Sequence, residues 1–173
     1  MATIFKVTAK QQLLVSLAGW WKYLSLLAIQ FYFEKFTFSK IYVYIWIFIF
    51  VFDFLPTACL HIQYYLKNRN ASVSIETSDR IIYNTPTGKF EFKIEDITYF
   101  TCVSSYAGKA APGLYGFGEY RYCEIGFANG ESIILTSLMA NNLPISLEHI
   151  LHLKPEQELK LFAFISKSKF VPV

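Results

Sequence analysis

Three histidines and three cysteines are all that this 173-residue chain offers a metal or a nucleophilic centre, and they are scattered. Cys59, Cys102 and Cys123 form no CxxC or other metal spacing, and an odd count builds no disulfide framework. They read as reduced thiols, with Cys102 and Cys123 as small core residues of a cytosolic domain. His149 and His152 stand three apart without the Cys or carboxylate partners that a metal site needs, so a solvated helix edge is expected. The stretch GKAAPGLYGFG, from Gly108 to Gly118, contains neither GxGxxG nor GxxxxGK[ST], and no helix pattern follows it. No Ser/His/Asp or Cys/His arrangement can be assembled. A non-enzymatic protein without cofactor or metal is the expectation.

Charge is sparse and unevenly placed. Residues 1–66 carry five lysines against Glu34 and Asp53, a net of +3, whereas residues 67–173 carry eleven basic and eleven acidic side chains. A neutral second part lacks the basic stripe with which proteins hold a phosphate backbone, which argues against nucleic acid. A cleavable leader is not expected either, because no compact apolar run ends at a small-residue site near the start.

What the chain has in excess is apolar sequence. From Ile41 to Ile62 it reads IYVYIWIFIFVFDFLPTACLHI, 22 residues with one acid, Asp53, and one proline, Pro56. As a helix this run reaches ~33 Å, enough to cross a ~30 Å hydrocarbon core. A strand of that length would reach ~70 Å with no turn signal to divide it. A membrane span over 41–62 is therefore expected. Residues 13–33 make a second candidate, with Trp20 and Trp21 at an interface and Lys22 snorkelling or facing inward. The link from Glu34 to Lys40 permits only a tight hairpin. Lysines near the outer ends (Lys6, Lys10, Lys67, with Arg69) outnumber those in the link, which places both termini in the cytoplasm of a multi-pass cell-membrane protein. Residues 1–66 are read as tail plus membrane hairpin, and 67–173 as a cytoplasmic domain. Asn70 opens a glycosylation sequon that would go unused there.

Beyond Ala71 the period changes to alternation. SVSIET, RIIYN, KFEFKI, ITYFTCVSS, YRYCEIGFA and ESIILTSL read as six strands, the last two joined by the hairpin signal Asn129-Gly130. Phe100 and Cys102 share one face, as do Cys123, Ile125 and Phe127. Pro144 opens a helical segment carrying Ile145, Leu147, Ile150 and Leu151. Residues 156–166 suit a helix or a last strand.

Two places invite function. The loop 106–119 interrupts an otherwise tight meander and carries Tyr106, Lys109, Leu114, Tyr115 and Phe117. These either meet a membrane surface or partner, or fold back on the sheet. In the apolar run, Pro56 removes a backbone hydrogen bond and predicts a kink, and Asp53 is an ionisable group at membrane depth. Counted from the link, Lys22 and Asp53 lie level to within a turn, which makes them a candidate intramembrane pair.

The exit FDFLPTACLHIQYYLKNR, the block ETSDRIIYNTPTGKFEFKIEDITYF and the strand GESIILTSL leading into LEHIL together resemble the membrane-anchored bacterial PH-like (pleckstrin-homology-like) domain proteins, over about residues 12–153. The resemblance implies an α+β domain, a seven-strand antiparallel half-barrel with a C-terminal helix, on an inner-membrane anchor. It implies an interaction module whose partners are lipid headgroups or another membrane protein. The alternative is an accessory subunit of a transport or lipid-handling system, with Lys22 and Asp53 in a polar path. One departure bears on ligand choice: phosphoinositide-binding PH domains carry several Lys and Arg at the first hairpin, and here Arg80 stands beside Glu76 and Asp79.

Overall fold

A computed structural model of the chain describes residues 2–17, 20–34, 40–76, 79–140 and 142–166. It opens on a strand, β1 (Thr3–Lys6), where the sequence suggests a tail. Helices follow: α1 (Ala9–Leu17), α2 (Trp20–Glu34), α3 (Lys40–Ile49), a π-helical turn over Phe50–Phe54, and α4 (Leu55–Asn68). Six strands then fall close to where alternation places them. They are β2 (Ser72–Glu76), β3 (Arg80–Thr85), β4 (Gly88–Lys93), β5 (Ile97–Ser105), β6 (Tyr122–Phe127) and β7 (Ser132–Thr136). The loop between β5 and β6 holds a short helix, α5 (Tyr106–Ala110). After β7 come α6 (Leu143–Leu151) and β8 (Glu156–Lys160).

Among the described residues the strands form two four-stranded sheets, ordered β1-β2-β3-β4 and β7-β6-β5-β8. β1 lies antiparallel on β2, with Phe5 opposite Val73, so the helices from α1 to α4 are inserted between two neighbouring strands of one sheet. β8 runs parallel to β5 and resolves the open reading of 156–166 in favour of a strand over its first five residues. Pro155, which cannot donate to a ladder, sits just before it. The total of eight exceeds the expected six or seven because both additions are short and pair with distant partners.

The inner faces of the sheets and α6 enclose the main core. Ile75 faces Ile81 across β2 and β3, and the rings of Phe92 and Phe127 stack at 4.1 Å. Phe100, Cys102, Cys123, Ile125 and Phe127 are all buried there, as alternation requires. The cysteines are not reduced, however. Register sets Cys102 opposite Cys123 across β5 and β6, their Cα atoms 4.1 Å apart, and the two are joined as a disulfide. Side-chain alternation alone cannot show this, since facing partners depend on register. On α6 the buried stripe is Leu143, Leu147 and Leu151, one residue every four, while Ile145 points outward.

A second core covers the other face of the β5-β6-β7 sheet. Leu60 and Tyr64 of α4 and Val15 of α1 pack there with Val103, Tyr120, Tyr122, Ile134 and Leu138. β6 is thereby buried on both faces, which is why its residues are buried almost without alternation.

Candidate functional site at the foot of the helical hairpin

α2 and α3 run antiparallel as a hairpin whose cross-links are polar. Tyr23 donates its hydroxyl to Asp53 Oδ2 at 2.7 Å, and seven residues further out Trp46 Nε1 donates to Gln30 Oε1 at 2.9 Å. Gln30 is buried between otherwise apolar helices. Sequence reading overlooked it, although a lone amide in an apolar segment is itself a signal of interhelical bonding. Away from this seam the hairpin presents hydrocarbon: Leu24 and Phe48 are each more than 60% exposed, and Ile41, Ile47, Phe50, Val51 and Phe52 lie open beside them.

By length and composition, the continuous helix Lys40–Asn68 is long and apolar enough to cross a membrane. The apolar stretch of α2, Tyr23–Tyr32, is shorter. The first half of the long helix is uncovered nearly all round, whereas the second half keeps one face on the β-structure and leaves Ile62 and Leu66 exposed on the other. From Leu60 onward it is bolted to the β-structure: Tyr64 donates to the Ala163 carbonyl at 2.6 Å, and Asn68 Nδ2 to the Ile134 carbonyl at 2.9 Å. Gln63 exchanges two bonds with the Ile165 backbone. His61 Nδ1 lies 2.9 Å from the Tyr120 hydroxyl. Burial pushes the Tyr120 pKa well up, against a smaller lowering by Ser16, so this hydroxyl stays neutral at ordinary pH.

The changeover falls at Asp53. Pro56 has no N–H and its ring crowds the carbonyl four residues back. The helix answers with a π-helical turn, in which the Leu55 N–H reaches the Phe50 carbonyl. The Thr57 hydroxyl donates to the Asp53 carbonyl at 2.6 Å. The kink expected at Pro56 therefore takes the form of a widened turn.

Asp53 itself is buried, and its second carboxylate oxygen accepts the Gly116 N–H at 2.8 Å. One side chain thus binds α2, the π turn and the β5–β6 loop. A Cβ at Gly116 would come 2.7 Å from Thr57 Oγ1, so the loop can approach only as glycine. A Cβ at Gly108 would land on the Gly118 carbonyl oxygen. Gly108, Gly116 and Gly118 are there for close packing rather than for a phosphate.

The expected site residues divide. Leu114 and Tyr115 are exposed and stand at the hairpin foot, where with Leu26, Ile29, Phe48 and Phe52 they line a cavity of about 380 Å³. Phe117 folds back into the second core, its ring 4.9 Å from Phe162. Tyr106 is exposed, and Lys109 lines a separate, smaller cavity with Arg121 and Gln157. Phe117 thus takes the fold-back alternative, while Tyr106, Leu114 and Tyr115 stay exposed. The Lys22 side chain lies outside the described residues, and its neighbour Tyr23 is the one seen at Asp53. His149 and His152 are exposed at the end of α6, and no cluster of three metal-ligating side chains occurs among the described residues.

A PH domain family model matches residues 3–146, from β1 into α6 and across the whole helical insertion. Neither a curated protein nor a solved structure matches the chain.

Proposed function

Because the chain belongs to the PH domain family, we propose that it is a non-enzymatic interaction module fixed to a membrane by its own helical hairpin. The observation that carries this is the exposed apolar surface of α2, α3 and the π turn, rising from a β-structure whose cores are already closed. An apolar surface of that extent is not left to water; it marks a membrane or an interface. The partner is a lipid headgroup or another membrane protein at the cytoplasmic face. In this reading Asp53 fastens the anchor to the domain.

The uncovered part of the long helix, Lys40 to Phe54, reaches ~22 Å, short of a ~30 Å hydrocarbon core. Local thinning and outward snorkelling of Lys40 accommodate the difference. The domain is drawn close against the near surface, with Leu114 and Tyr115 at the interface. Retention in the membrane pellet after an alkaline carbonate wash is the expected result; release into the supernatant would remove the integral reading.

Sidedness is tested separately. With both termini cytoplasmic, Ser168→Cys is protected from an impermeant maleimide in intact cells and Ser39→Cys reacts. A disulfide such as Cys102–Cys123 seldom persists in a reducing cytosol, so labelling at Ser168→Cys would instead place the domain on the opposite, oxidising side.

Selective binding of phosphoinositides is not expected. The register of β2 on β3 sets Arg80 opposite Glu76 and next in sequence to Asp79, and residues 67–173 are neutral. Titration of soluble inositol phosphates into the full chain in nanodiscs should give no saturable heat. The full chain is required, since residues 67–173 lack β1 and α4. Strong, salt-sensitive binding would overturn this expectation.

A further inference from the structure

We infer that the cavity at the hairpin foot holds one acyl chain of a membrane phospholipid; the inference rests on the membrane reading above. Its walls are mostly apolar side chains from three segments, Leu26 and Ile29 on α2, Phe48 and Phe52 on α3 and the π turn, and Leu114 and Tyr115 on the β5–β6 loop, with Tyr23, Ser25 and Asp53 also on the lining. The side walls belong to the same helices whose outer faces are exposed hydrocarbon, so the cavity is continuous with the surface that meets lipid.

Size and chemistry select the occupant. A volume of about 380 Å³ lies at the small end of the range that ligand sites span. A polar headgroup would find almost no partners along walls of Leu, Ile and Phe, and its desolvation would go uncompensated. An unbranched hydrocarbon chain satisfies both limits. Its polar end would emerge beside Tyr115, at the level where the proposed interface lies. The cavity keeps its shape because the Asp53 carboxylate holds the loop through Gly116 and α2 through Tyr23.

The full chain in nanodiscs of phosphatidylcholine and phosphatidylglycerol, with a tracer of phosphatidylcholine bearing a diazirine on one acyl chain, provides the test. Photolysis should label Leu26, Ile29, Phe48 and Phe52 about tenfold more densely than Leu24 and Leu27, which are exposed on α2 outside the cavity lining, the ratio that a preference of ~1.4 kcal/mol gives. Ile29→Trp and, independently, Leu26→Trp fill the cavity and should abolish the enrichment while labelling at Leu24 and Leu27 persists. That persistence shows that the hairpin still sits in the bilayer. Equal labelling of both sets, or enrichment that survives both tryptophans, would mean bulk lipid and would overturn the proposal. Competition by free palmitate as effective as by phospholipid would overturn the choice of source. Labelling of neither set would remove the membrane reading, and the bound chain with it.

Discussion

Asp53→Leu should lower the melting temperature of the full chain in mild detergent more than any other single change within the exposed hairpin. The carboxylate is the acceptor for the Tyr23 hydroxyl and the Gly116 N–H, and both donors lose it together. Hydrogen bonds to a charged group contribute about 1.5–3 kcal/mol each. The substitution also removes the cost of burying a charge, so a net loss of about 2–4 kcal/mol is expected. For a chain of this size that is roughly 5–15 °C. Asp53→Asn keeps one acceptor oxygen for Gly116 and should lose about half as much. The proposed pair with Lys22 adds a coupling: Lys22→Met with Asp53→Asn should be more stable than Asp53→Asn alone, since removing one partner strands the other. Additive effects of the two changes would dismiss the pair and leave the tie to Gly116 standing. A melting temperature unmoved by Asp53→Leu would dismiss the tie as well.

Tyr64→Ala should cost still more, about 3–5 kcal/mol, the range for emptying a large aromatic site in a core. Tyr64 is fully buried on the β-structure, its ring set edge-on to Tyr120 and Tyr122, and its hydroxyl satisfies the Ala163 carbonyl. Tyr64→Phe keeps the packing and leaves that carbonyl without its donor, a loss of about 1 kcal/mol. Tyr65, the next residue, is exposed, and Tyr65→Ala should stay within about 0.5 kcal/mol. Equal losses at Tyr64 and Tyr65 would show that this part of the helix lies in detergent rather than against the sheet. The contrast therefore measures where the anchor ends and the domain begins.

That boundary is where sequence and structure part. The apolar run from Ile41 to Ile62 is continuous in composition, and nothing in its hydropathy separates Phe48, which is open, from Leu60, which is sealed. Lipid and protein interior are both apolar, so the same residue types serve either. The separating pattern is Leu60, Tyr64 and Asn68, four apart, and it gains meaning only once a sheet is present to receive it.

By itself the chain determined the six strands from β2 to β7, the helix after Pro144, the helical character of the long apolar run, and the PH-like class. Each of these is written locally, as a period of two, a turn pair such as Asn129-Gly130, or a run too long for a strand. Tertiary structure alone decided the rest. β1 has four residues and β8 five, too few for a period to speak, and their partners lie about seventy and fifty-five positions away. The Cys102–Cys123 bond follows from the register of β5 on β6. The roles of Gly116 and Gly108 follow from backbones that touch. Asp53 was legible as an ionisable group in an apolar run, and its level with residue 22 could be counted. That Tyr23 and a loop amide 63 residues onward would hold its carboxylate depended on how the hairpin seats against the sheet, which no local pattern encodes.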